Sequence, residues 1–297
     1  VLALLGAWRN VTELWMFALC LGALGVAGGL FAVPLYALVQ LRANPAKTAA
    51  IIAFLNIQNS LFMVLAALLG VGLISLGFDL PSVLLAGAVF NGLVCLVVFK
   101  TVPEFMARFI VFLLVHTVYR FRVQGHGHFP LEGAAYIAPN HISWVDAFIL
   151  SAACRRPFAF VMYYKIFNIP VVNWFFKAMK AIPIAGRNED EAVYLQAMAE
   201  VQRRIQAGQL VCIFPEGKLT ADGEIDEFKG GLTRILEQTP VPVIPLALQG
   251  LWGSFFSRDP NKGFFHRLWS RVTLVAGPPV AAEAAAPAQL QALVSEL

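Results

Sequence analysis

Residues 134–146 read AAYIAPNHISWVD. An apolar run, Ala134 to Ala138, ends at Pro139-Asn140, crosses a short loop, and enters an apolar helical pattern at 144–154. That is a buried strand, a strand-end loop and a helix, the repeating unit of a parallel sheet. The alternation continues outward from it. Further strands are predicted at 158–162, 181–185, 210–214, 242–248 and 272–276, and helices at 168–179, 189–207, 228–238 and 287–296. The helix from Glu189 has acids in its first turn, Arg203 and Arg204 near its end and Gly208 just beyond, which are sound start and stop signals. The predicted class for this half is α/β, a mostly parallel sheet covered by helices.

The other half is different. Of 297 residues, 59% are hydrophobic and 13% charged, where an ordinary soluble domain carries about 25% charged. Residues 1–102 hold four basic and two acidic side chains, and the remaining 195 hold 18 and 16. Uncharged runs of 28, 31 and 20 residues separate Glu13 from Arg42, Lys47 from Asp79, and Asp79 from Lys100. About 20 apolar residues span a bilayer core, so spanning helices are predicted at 13–40, 50–76 and 81–99. Gly25 and Gly29 have the GxxxG spacing that lets helices approach closely. Asn56, Gln58 and Asn59 fit hydrogen bonding to a neighbouring helix better than a transport pathway. Residues 103–120 form a connector whose apolar run, Phe109 to Val115, is too short to span and suits an interfacial helix, flanked by Arg108, Arg120 and Arg122. The expected organisation is 1–102 membrane helices, 103–120 connector and 121–297 α/β domain.

Composition excludes several classes. A net charge of +4 gives no case for nucleic acid. Cys20, Cys95, Cys154 and Cys212 form no CxxC and read as buried small hydrophobes of a reducing compartment. The chain starts at Val1 with no signal-peptide pattern, and its true N-terminus is expected to lie upstream. There is no GxGxxG after a strand, no P-loop and no G-x-S-x-G elbow, which removes the main support for nucleotide-binding and serine-hydrolase readings.

Two stretches carry chemistry. The first is Asn140-His141-Ile142-Ser143-Trp144-Val145-Asp146. On one continuous helix His141 and Asp146 would stand about 140° apart, so they meet only if His141 lies on the loop and Asp146 in the first helical turn. Ser143-x-x-Asp146 also fits a capping pattern with Ser143 as N-cap, and both can hold together. A histidine oriented by a carboxylate is equipped to take a proton. The second is Phe214-Pro215-Glu216-Gly217 at another strand end, followed by Lys218-Leu219-Thr220, Asp222-Gly223 and Phe228-Lys229-Gly230. Pro and Gly build a turn that presents Glu216, at the edge of an open sheet where ligands bind.

In this order and about 70 residues apart, the two motifs are identified as those of the glycerolipid acyltransferase family, which includes the 1-acylglycerol-3-phosphate and 2-acylglycerophosphoethanolamine acyltransferases. The resemblance covers roughly 105–297. Ile182 to Arg187 is similar to the family's middle block, and Val241 to Pro245 to its last apolar block. Lys218-Leu219-Thr220 replaces the Thr-Arg-Ser of many phosphatidate-forming members and looks more like the phosphoethanolamine-acceptor branch. Upstream, residues 33–70 resemble the last third of a major facilitator permease of the lysophospholipid-transporter branch. That likeness implies further permease helices N-terminal to this chain.

The resemblance implies transfer of a fatty acyl group from a thioester, acyl-CoA or acyl carrier protein, to the hydroxyl of a lysophospholipid or 1-acylglycerol 3-phosphate. His141 would be the base and Asp146 its orienting partner. Arg187 would hold the acceptor's phosphate, Glu216 and Gly217 would position the glycerol, and Lys218 would add a second phosphate contact or remain a solvated lysine. No metal and no cofactor is expected, and membrane phospholipids are the expected partners. Basic loops after the first and third helices place the α/β domain on the cytoplasmic side of a bacterial inner membrane. Competing readings are a lysophospholipid transport protein whose attached domain is secondary, and a lipid or thioester hydrolase. His126 and His128 read as a turn into a strand, and His116 and His266 as interfacial and surface residues. Trp252 to Phe256 with Phe264 and Phe265 form an aromatic patch, either core or membrane-facing.

Overall fold

The computed structural model describes residues 14–154, 156–256, 259 and 269–297. His266, Phe264 and Phe265 lie outside the described residues. The chain divides after Thr101 into two units.

In the first unit, helices α1 (Leu14–Arg42), α2 (Thr48–Ser75) and α3 (Leu80–Thr101) follow one another with short turns. All three are long and apolar enough to cross a membrane. Leucine, valine and phenylalanine side chains are exposed all along them, as suits helices solvated by lipid. Asn44 closes the turn between α1 and α2 by accepting from the Ala46 amide at 3.0 Å. In α2 the Asn59 amide donates to the Tyr36 hydroxyl of α1, the inter-helix bond expected of that polar cluster.

The second unit is built on a seven-stranded sheet: β1 (Arg120–Gln124), β2 (Ala135–Pro139), β3 (Phe158–Tyr163), β4 (Ile182–Ile184), β5 (Leu210–Cys212), β6 (Val243–Gln249) and β7 (Arg271–Ala276). The strand order is β1-β7-β6-β2-β5-β3-β4. All pairs are parallel except β6 with β7, which is antiparallel. The last strand pair thus departs from the parallel pattern, and β1 and β7 run opposite to the five others. β2 and β5 are buried along their whole length, as expected for strands covered on both faces.

Side-chain alternation divides the core. On one face Ile137, Leu210, Cys212, Leu246 and Leu274 pack with Val111 and Val115 of α4 (Pro103–Val118) and Ile149 and Leu150 of α5 (Asp146–Ala153). On the other, Tyr136, Ala138, Val211 and Val243 pack with Val201 of α7 (Glu191–Gln206), Leu232 of α8 (Gly231–Gln238) and Leu290 of α9 (Pro287–Glu296). Each large side chain buried this completely contributes about 1.5–3 kcal/mol. α6 (Pro170–Ala178) follows β3. α4 is more than a connector: Met106, Ala107, Val111 and Val115 enter the core while Ile110, Phe112 and Leu114 stay exposed.

His126–His128 forms a short 3-10 turn, with the His128 ring nitrogen 2.7 Å from the Ala276 carbonyl. Within the aromatic patch, Trp252 packs against the core and covers Gly223, whose φ is +97° and where a Cβ would lie 2.6 Å from the Trp252 ring, while Phe256 is exposed.

Candidate active site

The two motifs meet because β2 and β5 are neighbours and parallel, so their C-terminal ends lie side by side. Strands in a sheet are about 4.8 Å apart, and the loops leaving adjacent strand ends are in contact range. Asn140 fastens the first loop to β6: its amide donates to the Leu248 carbonyl at 3.1 Å and its oxygen accepts the Leu248 N–H at 2.7 Å.

His141 stands on that loop, and Asp146 is the first residue of α5. Their side chains are joined, His141 Nδ1 to Asp146 Oδ2 at 2.8 Å. The aspartate is fully buried, whereas 23% of the histidine side chain remains accessible. The same carboxylate accepts the N–H of Ile142 at 2.7 Å and that of Ser143 at 3.0 Å. Asp146 therefore organises the loop and orients the imidazole together. Ser143 keeps the reciprocal half of the capping pattern that its spacing predicts, its N–H held by the Asp146 carboxylate three residues on. The regular helix begins one residue after Val145, and the Ser143 hydroxyl accepts the Val145 N–H at 3.5 Å while donating to the Phe256 carbonyl at 2.9 Å. Burial pushes the Asp146 carboxyl above its ordinary range, opposed by His141 and by the two loop N–H groups.

The second loop supports the first. The Phe214 ring stacks on the His141 imidazole, centroids 4.0 Å apart. Glu216, 1% exposed, accepts the His141 N–H at 2.7 Å on one oxygen and the Asp226 N–H at 3.1 Å on the other. Glu216, the residue expected to position the glycerol, thus ties the two loops together. Burial raises its carboxyl too, against the pull of those two N–H donors. Gly217 has φ +67°, a conformation that favours glycine, so the turn needs this residue. Thr220 N–H closes the loop on the His141 carbonyl at 2.9 Å.

The cations are arranged less tightly. Lys218 pairs with Asp226 at 3.1 Å, and Arg187 with Glu191 at 3.3 Å. Both pairs are exposed, a class worth about 0–1 kcal/mol, so an incoming phosphate could displace them. Arg187 follows β4, three strands from β2, about 14 Å along the sheet. No contact joins it to His141 among the described residues. Between them Lys165 holds Glu189 at 2.7 Å, and Tyr163 donates to the same carboxylate at 2.6 Å.

Sequence reasoning passed over Lys229. Its N–H is fixed on the Pro215 carbonyl at 2.9 Å, and its ammonium lies over Gly217, 3.4 Å from where a Cβ would stand. The Phe-Lys-Gly stretch after the turn was the available signal. Cys212, beneath the dyad, is fully buried, and its thiol is pushed well up by burial and by the Asp146 charge. It is no candidate nucleophile.

Residues 120–249 match the family model described as Acyltransferase. Among curated proteins, the chain is 27% identical over 148 residues to the chloroplastic 1-acyl-sn-glycerol-3-phosphate acyltransferase BAT2 of Brassica napus, covering 50% of this chain and 42% of that protein. It is 24% identical over 194 residues to the 1-acyl-sn-glycerol-3-phosphate acyltransferase of Pseudomonas aeruginosa, 64% of this chain and 70% of that protein. The chain spans less than half the length of the first of these relatives. The fold is similar to the crystal structure of PlsC, the 1-acyl-sn-glycerophosphate acyltransferase from Thermotoga maritima. That match has a TM-score of 0.51 at 20% identity and covers 70% of this chain and 84% of that one. Residues 120–249, which follow the three apolar helices in the sequence, are thus similar to acyltransferases in sequence and in fold.

Proposed function

We propose that this chain transfers a fatty acyl group from a thioester donor to the free hydroxyl of 1-acylglycerol 3-phosphate or a related lysophospholipid. The observation that carries the reading is the His141–Asp146 pair, braced by the Phe214–Gly217 turn, within a domain matching the acyltransferase family.

A carboxylate only accepts, so the Asp146 contact keeps a proton on His141 Nδ1 and leaves Nε2 as the basic nitrogen. A hydroxyl is a poor nucleophile until its proton is taken in the transition state. The acceptor oxygen bonds to the thioester carbonyl carbon while Nε2 takes its proton. Asp146 stabilises the resulting imidazolium, as the acid member of a catalytic triad does. The carbon–sulfur bond then breaks, and the departing sulfur receives the proton from Nε2. The products are an ester and a free thiol, with no acyl-enzyme.

Glu216 acts as a positioning residue, holding the His141 backbone and the Asp226 loop. Lys229 and Lys218, on the β5 side, and Arg187, after β4, form the basic surround for the acceptor's phosphate; a guanidinium suits that anion. The donor is acyl-CoA or acyl carrier protein. The basic loop residue Lys47 and the basic residues after α3 favour a cytoplasmic domain at a bacterial inner membrane. On this reading α1–α3 are the end of a longer permease-like bundle.

Purified full chain, a labelled acyl donor and a panel of lysophospholipids test the reading, with products resolved by lipid chromatography. A new diacyl lipid from 1-acylglycerol 3-phosphate is expected. If no acceptor in the panel yields an ester, the reading is wrong.

A further inference from the structure

Three arginines stand together away from the dyad. Arg120 of β1 is in register with Arg271 of β7, and Arg122, two residues on, with Thr273. Alternation puts all four on one face of the sheet, since Phe121, Val123, Val272 and Leu274 turn into the core on the other. They line a concavity of about 290 Å³. None of the three makes an ion pair with a described acid. Like charges directly opposite across a strand pair are destabilising, so the cluster is costly unless an anion joins it. Guanidinium groups with a hydroxyl beside them have the geometry to grip a phosphate through several hydrogen bonds.

Position in the sheet identifies the source of that phosphate. β1 and β7 run opposite to the central strands, and Gln249 at the C-terminal end of β6 pairs with Thr273. Arg120 and Arg271, which begin their strands, are therefore at the same end of the sheet as His141. β1 is three strands from β2, about 14 Å to the side. Trp269, 60% exposed, lies beside them: the Arg120 guanidinium sits 5.2 Å from the centroid of its ring, and its indole N–H donates to the Thr117 carbonyl of α4 at 2.7 Å. The loops at this end also expose Trp144, Ile169 and Phe256. Exposed tryptophan beside arginine is the composition of a bilayer interface, and the chain carries three helices long and apolar enough to cross a membrane.

We propose that Arg120, Arg122, Arg271 and Thr273 form a site for the headgroup phosphate of an anionic membrane phospholipid, distinct from the acceptor site, which seats the catalytic end of the sheet on the bilayer. The site prefers anionic to zwitterionic headgroups. Each basic residue near an anionic lipid surface contributes about 1 kcal/mol, or about fivefold in affinity.

The test uses full chain in neutral detergent micelles and counts retained dioleoyl-phosphatidylglycerol and dioleoyl-phosphatidylcholine by native mass spectrometry. Wild type should retain phosphatidylglycerol preferentially. Arg122→Gln should weaken that retention about fivefold, the triple Arg→Gln variant should abolish the part due to this site, and triple Arg→Lys should restore much of it. Retention of phosphatidylcholine and acyl transfer in the same micelles should not change, which checks folding. Unaltered phosphatidylglycerol retention in the triple variant would overturn the proposal. So would a raised KM for the acyl donor with lipid retention intact, which would assign the arginines to the donor. Lipid retention without acyl transfer in wild type would instead count against the enzymatic reading and leave this site standing.

Discussion

Asp146→Asn isolates the chemistry of the dyad from the architecture of its loop. The carboxylate accepts from His141 Nδ1 and Ile142 N on Oδ2, and from Ser143 N on both oxygens. An asparagine has one accepting oxygen. With that oxygen toward His141 and Ile142, the new NH2 opposes the Ser143 N–H; reversed, it opposes the imidazole and forces the other tautomer. One buried donor is left unsatisfied either way, at a cost of about 1–3 kcal/mol, partly offset because a fully buried carboxylate no longer has to be desolvated. Stability should therefore fall modestly. Activity should fall far more, since the imidazolium loses its counter-charge: kcat should drop about 10³–10⁴-fold, equivalent to about 4–5.5 kcal/mol of transition-state stabilisation. The acceptor KM should change little. Initial rates of labelled ester formation, alongside a thermal melt in detergent, read both effects. A folded variant with near wild-type kcat would make Asp146 a loop-capping residue only and refute the base assignment.

Glu216→Gln can satisfy only one of the two N–H groups at a time, so kcat should fall about 10–100-fold, from a shift in His141, with a lowered melting temperature. Arg187→Ala and Lys229→Ala should each raise the acceptor KM more than they lower kcat, with donor KM unchanged; loss of donor affinity instead would reassign them. The buried carboxyls set a pH dependence whose sign can be worked out. Asp146 and Glu216 both titrate above the ordinary range in the folded chain, so the native state binds protons that the unfolded state has released. Their contribution to stability is therefore lost as pH rises from about 4 through their raised values. Across that window the melting temperature of Asp146→Asn should gain on wild type as pH increases, and an opposite trend would contradict the assignment of burial as the dominant cause.

Much of this arrangement was readable from residue order, and the misses have physical causes. Charge spacing located α1–α3 because lipid-facing helices exclude charge along their whole length. The strand before Asn140 and the one before Phe214 were visible as short apolar runs, but nothing in the chain order says that β2 and β5 are neighbours; that comes from the crossovers, and it is what brings Phe214 onto His141. β1 escaped notice because Arg120-Phe-Arg-Val-Gln alternates over only five residues directly after a helix, where its arginines look like the flank of an interfacial segment. Ser143 had the spacing of a cap, and its N–H does reach the Asp146 carboxylate, but its hydroxyl also donates to the Phe256 carbonyl, a partner distant in sequence that spacing does not reveal. Lys218 was the conspicuous cation beside the turn, whereas Lys229 reaches Gly217 only because the chain doubles back to hydrogen bond Pro215.

The most direct test of the base assignment counts thiol and ester in one reaction. Full chain is given a thioester donor and 1-acylglycerol 3-phosphate, and free thiol and new diacyl lipid are measured together for wild type and His141→Ala. Wild type should form one ester for each thiol released, and a His141→Ala variant that still folds should lose both products. Thiol released without ester, or a His141→Ala variant that keeps its rate, would contradict the base assignment.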